Sequence, residues 1–160
     1  MRQPLGNTRL FLMLAIAFAL TILPMPTILT GFRPQWVLLM VLYIQFFLPH
    51  YFRVTWIFLL GLCLDVLLST AIGEHAFALL LTSWFAAGKT RRFTFFSTLQ
   101  QMILIVVFCL IYQSVIYLIE ASQGYSNGIF FVAETAFISM LFWPWVKWLA
   151  DNSLRGCMVR

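Results

Sequence analysis

A succession of apolar runs joined by very short polar pieces constrains this chain more than any other feature. Six runs stand out, at about 10–29, 34–48, 54–71, 74–88, 97–120 and 128–150. A helix that crosses a bilayer needs about 20 mainly apolar residues. Only 9% of the residues are charged, against about 25% in a soluble domain. A globule of 160 residues has no core large enough to hide a chain that is 62% hydrophobic. The expectation is an all-α, polytopic membrane protein with six transmembrane helices, forming a single domain over residues 1–160. The second and fourth runs are short for a full span, which suits helices enclosed by longer neighbours.

The basic residues orient such a chain. With six spans, Arg2, Arg9, Arg53, Lys89, Arg91, Arg92, Lys147, Arg155 and Arg160 fall on one side, and Arg33 falls alone on the other. The excess of Lys and Arg marks the cytoplasmic side, so both termini are expected in the cytoplasm. A five-span count remains the alternative, but it flips every later loop and spoils this asymmetry. Arg2 and Arg9 precede the first run as in a signal peptide, yet the following "PMPT" is no small-residue cleavage site, and a retained span is expected. The short joints leave no room between spans for a soluble module.

Several classes of function find no support in the residues. The net charge of +5 is spread in small groups and not in a basic patch with interleaved aromatics, so nucleic acid is not the expected partner. Cys63, Cys109 and Cys157 share no short spacing, which argues against a zinc site or a redox pair. His50 and His75 fall on opposite sides of the expected membrane and cannot share a metal. No GxSxG, HExxH or phosphate-binding loop occurs, so no enzyme activity and no cofactor are expected.

The polar residues inside the runs carry the remaining information. In "GLCLDVLLSTAIG", steps of four give Gly61, Asp65, Ser69 and Gly73, while the other rows are bulky. Residues four apart lie nearly above one another on a helix, and small residues at that spacing let a second helix approach closely. A lone charge near the bilayer centre costs about 3 kcal/mol on insertion scales. Asp65 is therefore expected to face protein, either as a functional group or as a structural hydrogen-bonding group. Glu134 is the second such acid, with Thr135 and Ser139 beside it. Gln101, Cys109, Gln113 and Tyr117 share one face of the fifth run and are expected to bond across the bundle. Glu74, His75 and Glu120 stand at span ends, where water is expected to solvate them. Trp143, Trp145 and Trp148 beside Lys147 read as an interfacial belt, with Pro144 removing one backbone donor. Arg33 either snorkels at the outer interface or holds an anionic headgroup or a partner carboxylate.

Four segments taken together resemble the bacterial rod shape-determining MreD family: "FRPQWVLL" at 32–39, "LPH" at 48–50, "GLCLDVLLSTAIG" at 61–73 and "WPW" at 143–145. The resemblance covers nearly the whole chain and singles out Arg33, Pro34, Trp36, Gly61, Asp65, Gly73, Trp143, Pro144 and Trp145 as family-typical. It implies a non-enzymatic inner-membrane component of the cell-elongation complex that acts in lateral peptidoglycan synthesis. The implied partners are the single-pass protein MreC, the MreB filament, RodZ, and RodA with its transpeptidase. It also implies a six-helix fold similar to the substrate-binding subunits of energy-coupling-factor transporters, with no known small-molecule substrate. The alternative reading of the residues is a small-molecule or lipid-precursor transporter or substrate-capturing subunit.

Overall fold

A computed structural model describes residues 4–22, 34–49, 53–124 and 129–154. Among them the structure is helical throughout: α1 (Pro4–Ile22), α2 (Trp36–Phe47), α3 (Val54–Leu68), α4 (Glu74–Ala87), a four-residue α5 (Thr90–Phe93), α6 (Thr98–Ser122) and α7 (Ile129–Leu154). The six longer helices run alternately up and down. One end of the bundle holds the start of α1 and the close of α7, where Arg9 Nη1 donates to the Ser153 carbonyl at 3.1 Å. The other end gathers the close of α3, the start of α4 and the start of α2.

Local sequence explains several boundaries. Ser97 and Gln100 form a reciprocal cap at the start of α6, each side chain bonded to the other's backbone N–H. Ser69 ends α3 in the left-handed region, φ 54°, a conformation that L-residues with a Cβ seldom adopt. Pro34 stands just ahead of α2, and Trp36 N–H bonds to its carbonyl at 3.0 Å. Pro144 does not end α7, which runs on to Leu154.

The helix α2 is the axis of the bundle. Every residue from Val37 to Phe46 is buried, against α1, α4 and α7. At 1.5 Å per residue its 12 residues cover about 18 Å, less than a hydrocarbon layer of about 30 Å. Its neighbours close over it, so it needs no apolar length of its own. Of the described helices α6 is long and apolar enough to cross a membrane alone, while α2 and α3 are shorter apolar helices.

The outside of the bundle is apolar. Phe11, Trp56, Phe77, Trp84, Phe130 and Trp145 are all exposed. So much contiguous aromatic and aliphatic surface marks contact with protein or lipid, not water. The expected interfacial belt divides in two. Trp145 and Trp148 are exposed, but Trp143 is a core residue at 0% exposure, packed edge-on against Phe93 at 5.9 Å. The fully buried Phe93 stacks in turn on Phe46 of α2. The short helix α5, which no apolar run announced, brings Phe93 into this core.

Candidate functional site

The α3–α4 joint is built on two residues of one helical row. Gly61 faces α4 so closely that a methyl group there would meet the Ala76 backbone and stand 2.8 Å from the Ala76 Cβ. One turn later Asp65, 1% exposed, reaches the start of α4. Its Oδ2 accepts from Gly73 N–H at 2.8 Å, and its Oδ1 accepts from His75 N–H at 2.8 Å. The His75 ring Nδ1 is 3.0 Å from the same Oδ1, and Thr70 Oγ1 donates to it at 3.4 Å. The N-terminus of a helix leaves its first N–H groups unsatisfied and carries a partial positive charge. Gly73, the N-cap of α4 at φ 99°, has no side chain to cap with. The Asp65 carboxylate supplies the missing acceptors from the preceding helix. Ser69 and Gly73 leave the row: Ser69 is exposed at the end of α3, and Gly73 meets Asp65 through its backbone.

Glu74 and His75 differ from the expectation of water-solvated span ends, because both are buried. The cause is local. Asp65 holds the first turn of α4 against α3, and the Gly61–Ala76 contact brings the two helices close together. Glu134 differs in the opposite sense, with its side chain on the outside of α7.

A cavity of about 330 Å³ opens beside this joint. Thr70, His75, Tyr112, Gln113, Gln35 and Glu120 contribute to its wall, with Pro34 and Trp36 at the start of α2. Gln35 ties three helices together: its backbone N–H donates to Ser139 Oγ at 3.0 Å, and its Nε2 donates to Gln113 Oε1 at 2.6 Å. Gln35 Oε1 is buried without a hydrogen-bond partner. Trp36 packs edge-on against Phe142 at 5.0 Å. Thr135 and Ser139 are buried, and the Ser139 hydroxyl donates to the Thr135 carbonyl at 2.7 Å. Tyr117 is half-buried on α6. Arg33 and His50 lie outside the described residues.

A second polar clasp closes the opposite end. Gln101 Nε2 donates to the carbonyls of Phe93 and Phe96 at 3.3 and 3.0 Å, and Lys147 Nζ donates to Gln101 Oε1 at 2.9 Å. The same ammonium lies 5.5 Å from the Phe47 ring centroid, within reach of a cation–π contact. Tyr43 O–H donates to Asp151 Oδ1 at 2.6 Å. Among the described residues no group of three or more His, Cys, Asp or Glu is placed to hold a metal.

An apolar outer surface and hydrogen bonds that join helices inside describe a helical protein suited to a membrane. The family model for rod shape-determining protein MreD matches residues 3–152. The chain is 33% identical over 131 residues to the rod shape-determining protein MreD of Haemophilus influenzae, covering 82% of this chain and 81% of the relative. The chain belongs to the MreD family. No solved structure matches it.

Proposed function

We propose that this chain is a non-enzymatic, multi-pass component of the bacterial inner membrane, with both termini in the cytoplasm. On this reading it binds the single-pass protein MreC and helps organise lateral peptidoglycan synthesis with MreB, RodZ, RodA and its transpeptidase. The observation that carries the proposal is the family match from residue 3 to 152. The architecture supports it: Asp65 holds α4, Gln35 holds Gln113 and Ser139, and Gln101 holds the α5 carbonyls. These polar groups are committed to joining helices, as a scaffold requires. Depletion tests the proposal. Rod-shaped cells that lose the chain round up, and tagged MreC ceases to co-purify with the rest of the complex. Unchanged rods after complete removal, with no second copy of the gene, would overturn it.

The cavity beside the α3–α4 joint favours a second reading as a substrate-capturing subunit. Its volume of about 330 Å³ is at the lower end of small-molecule sites, about 300–1,000 Å³. The likeness to energy-coupling-factor subunits, implied by the family resemblance, has no solved structure to support it. Titrating vitamins and lipid precursors against the protein in nanodiscs separates the readings, since a saturable heat favours capture and silence favours the scaffold.

A further inference from the structure

Between α1 and α3 the bundle leaves a groove of about 730 Å³. The two helices run in the same direction and touch each other little. Leu10, Leu14 and Phe18 of α1 form one wall, and Trp56, Leu60 and Leu67 of α3 form the other. The buried Val41 and Ile44 of α2 stand at the back. Small residues open the hollow: Ala15 and Ala19 on α1 and Cys63 on α3 line it and are exposed, where bulky side chains would close it. From Arg53 to Leu67 the groove follows α3 for about 21 Å, more than half of a hydrocarbon layer of about 30 Å.

One charge interrupts this lining. Among the described residues Arg53, exposed just ahead of α3, is the single charged side chain of the groove, and it stands at one end. Trp56, 58% exposed, lies about one turn further in, and its indole suits the headgroup level. Past Trp56 no described side chain of the lining carries an oxygen or a nitrogen. The occupant that matches such a groove has a long hydrocarbon body and an anion at one end. A guanidinium pairs with a phosphate through two parallel N–H bonds. A phospholipid meets both demands at once, since its phosphate lies at the interface beside Arg53 and its chain runs inward along the apolar walls. We propose that the α1–α3 groove binds one acyl chain of an anionic glycerophospholipid, with the phosphate held by Arg53. On the orientation proposed above, the lipid enters from the cytoplasmic leaflet, where anionic lipids draw Lys and Arg. The bound chain joins α1 to α3 where the helices themselves do not meet. This site goes beyond the scaffold and capture readings and rests on neither.

The test places the full-length chain in nanodiscs of phosphatidylglycerol and phosphatidylcholine with identical chains. A trace of phosphatidylglycerol carries a photoreactive diazirine near the end of one acyl chain, and adducts are mapped by peptide mass spectrometry. They are expected on the groove residues of α1 and α3 and not around Trp84 on the outward face of α4. The same probe built on phosphatidylcholine gives about a fivefold lower yield, the effect of one arginine on a charged headgroup. Arg53→Gln abolishes that preference, and Arg53→Lys keeps most of it. Ala19→Phe fills the hollow and lowers the yield of both probes. In cells, a photo-crosslinking residue at Ala15 is expected to capture phospholipid. Equal yields from the two probes in the wild-type chain overturn the proposal, as do adducts spread evenly onto the α4 face. Capture of a second copy or of another protein at Ala15 also overturns it, because the groove then seats a helix. The wild-type comparison needs no substitution, so a variant that fails to fold does not blunt the test.

Discussion

Asp65 and His75 belong to different helices, yet one carboxylate oxygen of Asp65 stands 2.8 Å from the backbone nitrogen of His75 and 3.0 Å from its ring Nδ1. The end of α3 and the start of α4 are thus one unit, and most of the tests below act on it or on its counterpart at the other end.

Asp65→Leu strips one buried backbone N–H, of His75, and one half-buried, of Gly73, of their acceptor, at a cost of about 2–4 kcal/mol. Thermal unfolding in mixed lipid–detergent micelles is expected several degrees below wild type. Asp65→Asn, which keeps one acceptor oxygen, falls between. In a pull-down of the single-pass partner, Asp65→Leu loses more than Glu120→Gln. Equal retention removes the Asp65 row from any account of partner binding.

Gly61→Ala forces a methyl group into the Ala76 backbone. Overpacking of this kind costs about 1–3 kcal/mol. Ala76→Gly in the same chain returns only part of the loss, because the backbone atoms of residue 76 remain in the way. A double-mutant cycle by thermal melting measures the coupling. Full additivity of the two changes would show that α3 and α4 do not touch there.

Ser69 holds a left-handed φ of 54°. Ser69→Gly is expected to stabilise the chain by about 0.5–1 kcal/mol, since glycine adopts that region freely. Ser69→Val moves it the other way. Gly73→Ala, at φ 99°, destabilises for the same reason. Chemical denaturation of the three variants in one micelle gives the ranking directly, and a destabilised Ser69→Gly would contradict it.

Lys147→Met leaves Gln101 Oε1 without its donor, and Gln101→Leu leaves the Phe93 and Phe96 carbonyls without theirs. Each is expected to cost about 1–2 kcal/mol. The double variant costs less than the two together, because the residues share one network.

The topology follows from single cysteines placed in a cysteine-free background. Ile72→Cys, between α3 and α4, is expected to react with a membrane-impermeant maleimide added outside intact cells. Thr94→Cys, between α5 and α6, reacts only after the membrane is opened. The reverse pattern inverts the orientation.

The apolar runs announced the six longer helices because hydrophobic length is a local property. They did not announce α5, whose four residues are Thr90, Arg91, Arg92 and Phe93 and which turns Phe93 into the core. The small row at Gly61 and Asp65 was legible because helical spacing places both on one face. Its true counterpart was not, since Asp65 meets backbone N–H groups, and backbone leaves no mark in the residue letters. Glu74 and His75 were misread as solvated because position along a span says nothing of which way a helix start is pulled. Glu134 lies on the outside of α7, and one acid in an apolar run does not mark which face of the helix it takes. Trp143 and Trp145 share a motif but point in different directions, and only the packing around Phe93 separates them.

The enclosure of α2 has a consequence for how this protein can vary. Ten successive residues, Val37 to Phe46, are buried within the molecule. A change in membrane lipid or in a binding protein is first felt elsewhere, on the rim. Substitutions along this segment must therefore be matched from within, by compensating changes in α1, α4 and α7, whereas the outer helices answer to their surroundings. Covariation across related sequences should separate these two kinds of residue.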